Sequence, residues 1–444
     1  MPAGIAPFPH LPAFGRGRTN RHPGGGILDA ARRARLALRA YDALATGHPP
    51  FAPSPPIRTV MFRHLPLAVA VAVLTASLSA AARDRAQHSV ARDFKNWSVV
   101  CDNANRCVAE AGNDDIDDAR TSMIVRLTRD AGPDARPLLE IFASTPVDLR
   151  TARADGQPFD AVPAEWHAAT RTGSGDDDVY PFRTHTSDPT TVDAWLTVSH
   201  NAQMLSFGDP AAAQAPRVSL SGLSAALLLI DDTQGRIGTV TALLHKGTRP
   251  ASSVPAAPAL PPAPVPAPRV ADLTPAEQRP LVDAVFDKFG GNVKRCAADA
   301  GDEMSTRDRR KTATAIAISA ADAIVSIPCQ TSSAYNHTDL WYRVHRTAPY
   351  APAPLDFGEH ASAGLDPASF ANQLTEASYD PAHATLSSLD RVRSAGDCGS
   401  SASWVFDGRR FVLNDVAMHG ACNGLFLAQW PRLYRTAGST ENPR

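Results

Sequence analysis

Long apolar runs are almost missing from this 444-residue chain. Outside one N-terminal candidate no run reaches 18 apolar residues, which excludes a multi-spanning membrane protein. Lysine is scarce: five of the 44 basic residues, and beside abundant Ala, Pro and Gly this reflects GC-rich codon usage rather than function. No H-E-x-x-H, G-x-S-x-G or P-loop occurs, so the common metalloprotease, serine-hydrolase and nucleotide-binding signatures are absent. No two cysteines stand at a C-x₂₋₄-C spacing, which removes the usual structural zinc site. No period of 20–50 residues marks a repeat array. Hydrophobic residues at 43% and charged residues at 20% are ordinary globular usage and exclude wholesale disorder. The 38 prolines exceed average usage and announce a linker or tail.

The N-terminus reads as processing signals rather than fold. Residues 1–60 hold eight arginines, two aspartates and no lysine, with Pro/Gly clusters, and are expected to be upstream sequence ahead of a start at Met61. Arg63 and His64 form a basic n-region, Leu65–Ala76 an apolar h-region and Ser79–Ala82 a small-residue cleavage region. That layout makes 61–82 a secretory signal peptide, and no membrane span is expected once it is removed. The remainder carries 35 basic against 43 acidic residues, about −8 overall. Without a basic stripe to release counterions, nucleic acid is excluded as a partner.

Six cysteines in an exported chain form a disulfide framework. Of the 15 possible connectivities, sequence order favours one. Cys101 and Cys107 flank a turn-rich tip between two strand candidates, Cys398 and Cys422 flank a second hairpin, and Cys296 with Cys329 pair by elimination.

The Pro/Ala-rich stretch 248–271 favours extended, semi-rigid backbone and separates a β-rich domain at 90–247 from an α+β domain at 272–440. In the first, strands are expected at Trp97–Cys101, Arg106–Ala111, Met123–Thr128, Leu138–Ala143, Ala194–Ser199, Val218–Leu220 and Ile237–Leu244, with a helix at Leu223–Ile230. Asp231 and Asp232 fall near that helix's C-terminus, where the dipole disfavours anions, with Arg236 close enough to compensate. The three are weak binding candidates. In the second domain Thr274-Pro275-Ala276-Glu277 is a capping box with proline at the first helical position. A helix follows, with Pro280 marking a kink or later start and Gly290-Gly291 its end. Further strands are expected at Ala323–Pro328, Leu340–His345 and Ala384–Leu389. Trp404–Leu413 reads as a hairpin with a type I′ turn at Asp407-Gly408. The fold class is α+β, mainly β: two strand-rich, disulfide-stapled domains on a Pro/Ala linker.

Three segments carry a resemblance. Trp-Ser-Val-Val-Cys-Asp from Trp97, with Cys107 close behind, is the first, and Leu223–Thr239 is the second. The third runs from Gly396-Asp397-Cys398-Gly399-Ser400 through Trp404, Phe406-Asp407-Gly408, Phe411 and Cys422 to Trp430-Pro431 and Tyr434-Arg435. Together they resemble domain-of-unknown-function family 1176, exported proteins of Gram-negative bacteria, over roughly 90–440. More remotely, the first half resembles the invasion-associated locus B family, which is periplasmic. The resemblance implies a periplasmic or secreted location and this architecture; it implies no reaction and no cofactor.

Gly396–Ser400 also matches the nucleophile loop of chymotrypsin-like cysteine proteases, with His337, His345, His360 or His383 as upstream bases. Cys398 has a disulfide partner in Cys422, however, and a bridged sulfur is no nucleophile. The acidic runs Asn113–Asp118 and Gly175–Asp178 fail the EF-hand pattern and read as solvated loops, so no metal is expected. Trp341, Tyr342, Trp404 and Trp430 read as packing residues. Two functions stand. One is a non-catalytic binding or envelope-associated module whose partner is an envelope protein or small ligand. The other is an exported hydrolase with a site around Asp397, Ser400 and His419.

Overall fold

In the computed structural model the described residues are 89–112, 123–158, 166–168, 179–209, 215–331, 333–357 and 370–439. The signal-peptide region, the two acidic runs and His360 lie outside them. Strands outweigh helices, as the mainly β reading requires.

Five strands meander in sequence order: β1 (Val90–Phe94), β2 (Trp97–Cys101), β3 (Cys107–Gly112), β4 (Met123–Arg129) and β5 (Pro137–Ala143). After the short strands β6 (Ala152–Ala154) and β7 (Gln157–Pro158), β8 (His167–Ala168) and β9 (Phe182–Thr186) complete the first sheet in the order β1-β2-β3-β4-β5-β9-β8. Helix α1 (Pro189–Ser199) follows, then β10 (Met204–Phe207) and β11 (Arg217–Ser219), which join β6 and β7 in a second sheet, and α2 (Leu223–Thr233). One face of the first sheet is apolar: Val99, Ala109, Val125, Leu139 and Ile141 pack with Val192, Trp195, Leu223, Leu227 and Ile230 of the two helices.

Ala194–Ser199 is helix, not strand. Asp188 caps α1 by accepting the Thr191 N–H at 2.8 Å, and Pro189 occupies its first turn. The buried residues Val192, Trp195, Leu196 and Ser199 recur at helical rather than alternating spacing. Ile237–Leu244 is not a strand either: the Asp231 carboxylate takes the amides of Leu243 and Leu244 at 2.8–3.1 Å, so a side chain replaces the ladder.

The second half opens on α3 (Pro275–Asp299), with the capping box formed at Thr274 and Glu277. Pro280 does not delay the start of this helix, and Gly290-Gly291 does not end it. Val293 and Cys296 continue its buried face, and the Cys296–Cys329 disulfide ties its last turn to the sheet. That burial outweighs the roughly 1 kcal/mol each helical glycine costs. After α4 (Thr306–Thr312) come β12 (Thr314–Ala317), β13 (Asp322–Gln330), β14 (Thr338–His345), β15 (Ala353–Pro354) and β16 (Gln373–Thr375), one sheet carrying α3 on its face. A last antiparallel sheet, β17 (Ser378–Asp380), β18 (Thr385–Arg391), β19 (Gly399–Phe406), β20 (Phe411–His419) and β21 (Arg432–Arg435), keeps sequence order. Ile324, Trp341, Leu386, Trp404, Phe406 and Phe411 form the core between these two sheets. The β19–β20 turn is displaced by one residue from the expected one. Asp407 N–H donates to Arg410 O at 3.1 Å, so Gly408-Arg409 is its central pair. In the turn Gly408 alone has positive φ, +91°, so the type I′ turn, which needs two such residues, does not form.

The Pro/Ala stretch is bonded to the rest of the chain. Ala267 N–H donates to Phe406 O, and Pro261 O accepts from Ala437 N–H, both at 2.8 Å. All described residues fall within one compact unit, Ala70–Arg444. No helix among them is long and apolar enough to cross a membrane.

Candidate functional site

In an antiparallel sheet, residues opposite one another share a face. The register of the first sheet therefore sets Asp93, Ser98, Glu110, Arg126, Glu140, His185 and His167 in one row across the face opposite α1 and α2. The row is polar from end to end, and chain from the second half covers its middle.

Glu110 is 1% exposed and faces Arg126, whose Nε donates to Oε2 at 2.8 Å. Its other oxygen meets His419 Nε2, at the end of β20. His419 Nδ1 lies 2.9 Å from the Asp397 carbonyl oxygen. Both ring nitrogens thus face oxygen atoms. Burial alone would raise the Glu110 carboxyl; Arg126 and then His419 more than offset it and hold it at about 2. Arg393 grips Asp397 with two bonds of 2.8 and 2.6 Å, and Gly424 N–H adds a third at 2.7 Å. Against the burial penalty, these hold the Asp397 carboxyl below its ordinary value.

The Cys398–Cys422 disulfide closes this loop. Beyond it Leu425 packs with Ile124 and Phe142 of the first sheet and with Tyr180 just before β9, and the Tyr180 hydroxyl donates to Asn423 O. Trp430 stacks on His419 with ring centres 6.1 Å apart. Gly399 stands opposite His419, and any side chain there would run into the Asp390 carbonyl oxygen.

The loop closed by Cys101–Cys107 is where the three motif segments meet. Arg435 Nε donates to Asp102 at 2.5 Å, and Asn103 exchanges two 3.0 Å bonds with the Arg435 backbone. From the other side Gln234 Nε2 donates to Asn105 O at 2.8 Å. Gln234 belongs to a second buried network. Arg236, fully buried, donates from Nε to Gln234 Oε1 at 2.9 Å, from Nη1 to Thr241 Oγ1 at 3.1 Å and from Nη2 to Gly132 O. Burial raises the Asp231 carboxyl, although two backbone amides and the Arg129 and Arg236 charges oppose this. Burial, with Arg236 nearby, lowers Arg129 to about 10.

Of the residues singled out from sequence, Asp231 and Arg236 are therefore buried in internal bonds, while Asp232 is exposed. Asp397 and His419 are brought together. Ser400 is not brought to them: its partner on β20 is Met418, whereas His419 pairs with Gly399, so Ser400 and His419 point to opposite faces. All six cysteines are bridged, in the sequential pairing. The three described histidines considered as bases pair elsewhere, His337 with Glu376, His345 with Asp322 and His383 with Asp380. Glu110 and Arg126 were missed. Their signal was an acid and a base at the centres of two neighbouring, mostly apolar strands.

No solved structure matches this chain. A curated relative, "Uncharacterized protein YpfG" of Escherichia coli (strain K12), is 30% identical over 357 residues, which cover 78% of this chain and 92% of that protein. The family model described as "Protein of unknown function (DUF1176)" matches residues 91–437, and the chain belongs to that family.

Proposed function

We propose that this protein is an exported, periplasmic or secreted module that works by binding an envelope protein or small ligand rather than by catalysis. The observation that carries the reading is the fate of the motif charges. Glu110, Asp231, Arg236, Asp397 and His419 are each 2% exposed or less and bonded internally, so these five charges frame the fold rather than face a substrate. Three disulfides without a free cysteine suit an oxidising compartment, and the signal-like segment at 61–82 agrees with it. Within the second motif, Asp232 is the charged residue left exposed to meet a partner, while Asp231 and Arg236 are buried. The hydrolase reading would require Ser400 to cross the sheet to reach His419.

Fractionation of expressing cells with N-terminal sequencing tests the compartment: the chain is expected outside the cytosol, starting near residue 83, fully oxidised on non-reducing peptide mapping. A reduced, full-length cytosolic product would overturn export. A panel of ester, peptide and glycoside substrates tests the rest. Turnover that disappears in Ser400→Ala, with the fold intact by circular dichroism, would overturn the binding reading.

A further inference from the structure

The row across the first sheet is sealed at Glu110 but open at its other end. There β8 is the sheet edge, and His167 lies directly opposite His185 on β9, which in turn lies opposite Glu140 on β5. The two imidazole rings stand with centres 5.8 Å apart and planes inclined at 47°. His167 is exposed, while His185 and Glu140 are half-buried. Among the described residues, neither ring nitrogen pair nor the Glu140 carboxylate has a hydrogen-bond or ion-pair partner. Arg126, the basic residue next to Glu140 in the row, is turned towards Glu110 instead. Arg183, two residues before His185 on the same face, lies over the Phe142 ring. We propose that His167 and His185, with Glu140 beside them, form a binding site for one divalent transition-metal ion at this sheet edge.

The geometry suits the chemistry. A metal bound at 2.0–2.1 Å from a ring nitrogen sits about 3.2 Å from that ring's centre, so two rings sharing an ion at a tetrahedral angle have centres about 5.2 Å apart. The observed separation exceeds that by a distance that small side-chain rotations recover. Both residues stand on hydrogen-bonded strands, so binding costs side-chain rotation but no backbone ordering. No group of three His, Cys, Asp or Glu side chains is already gathered for a metal among the described residues. The site is therefore a pair of imidazoles in place, with water and the Glu140 carboxylate completing the shell. Two neutral imidazoles and one carboxylate select Cu²⁺, Zn²⁺ or Ni²⁺ over Mg²⁺ and Ca²⁺, which prefer all-oxygen shells.

Calorimetric titration of the untagged chain with Zn²⁺ and Cu²⁺ tests the site. One ion should bind, Cu²⁺ more tightly than Zn²⁺, and a large excess of Mg²⁺ should not compete. His167→Ala and His185→Ala should each weaken binding at least tenfold, and Glu140→Gln a few-fold. His383→Ala, an exposed histidine on the last-sheet side of the chain, should change nothing. Circular dichroism confirms folding, and His167, being exposed, can be replaced without disturbing the core. Affinity for Zn²⁺ and Cu²⁺ unchanged in both His167→Ala and His185→Ala, or no uptake by the wild-type chain at millimolar metal, would overturn the proposal.

Discussion

Two buried charge networks hold this chain together, and they are built in opposite ways. The network around Asp231 and Arg236 is local. Its groups come from one helix end and the loop after it, with help from Arg129 and Gly132, and several acceptors are backbone carbonyls. The network around Glu110 joins side chains 309 residues apart, and every charge in it has an opposite charge or an amide against it. The difference shows in the acids. Glu110 is held far below its ordinary value, whereas Asp231 is pushed above its own. Charge partners more than repay burial in the long-range network, and backbone amides fall short of doing so in the local one.

The largest test of that contrast is Glu110→Ala. It strands the nearly buried Arg126 guanidinium and removes the acceptor of His419, and breaking one side of a buried ion pair costs about 3–5 kcal/mol. Urea unfolding of the oxidised chain should show that loss, and a change below about 1 kcal/mol would mean the halves are held by apolar contact alone. Acid titration comes next. A carboxyl with its folded value lowered from 4.5 to about 2 adds stability that is full above its unfolded value and drains as pH falls towards 2. The amount is on the order of 3 kcal/mol. Asp231, with a raised value, has the reverse sign: its contribution is present at low pH and lost as pH rises through that raised value. Stability measured between pH 6 and 2 should therefore fall less steeply in Glu110→Gln than in the wild type, and more steeply in Asp231→Asn. A third step is Asp231→Ala, which leaves the Leu243 and Leu244 amides without an acceptor and should cost about 2 kcal/mol in the same urea experiment.

How much of this could be read from the chain follows the same division between local and distant. The capping box at Thr274, the six sequential cysteines and strands β2 to β5 all depend on residues near one another. Each was legible. Ala194–Ser199 was misread because Ala-Trp-Leu-Thr-Val suits a strand by composition; the deciding residues, Asp188 and Pro189, sit a turn and a half upstream. The glycine pair at 290–291 carries the usual signal of a helix end, and the buried face that continues through Val293 to the Cys296 disulfide overrides it. Glu110 meeting His419 was out of reach, because no local pattern reports a contact between strands of different sheets. Asp397 and His419 were noticed as possible chemistry, and their juxtaposition was right. Their role was visible only once Glu110 and Arg393 were seen to consume their polar atoms.

The weakest effect bears on the stretch between the halves, whose proline content reads as a spacer. A spacer should accept one more proline without cost, since the ring only restricts φ in a chain already extended. Here Ala267 N–H donates to Phe406 O at the end of β19, the strand whose other end neighbours Cys398. Ala267→Pro deletes that donor and leaves the carbonyl unpaired, so a strap predicts a loss of about 1 kcal/mol. Ala263→Pro serves as the control, because among the described residues no hydrogen bond involves the Ala263 N–H. Equal stability of the two variants would mean that the stretch merely lies against the surface. A loss confined to Ala267→Pro would show that it contributes to holding β19, and through that strand the disulfide loop beneath His419.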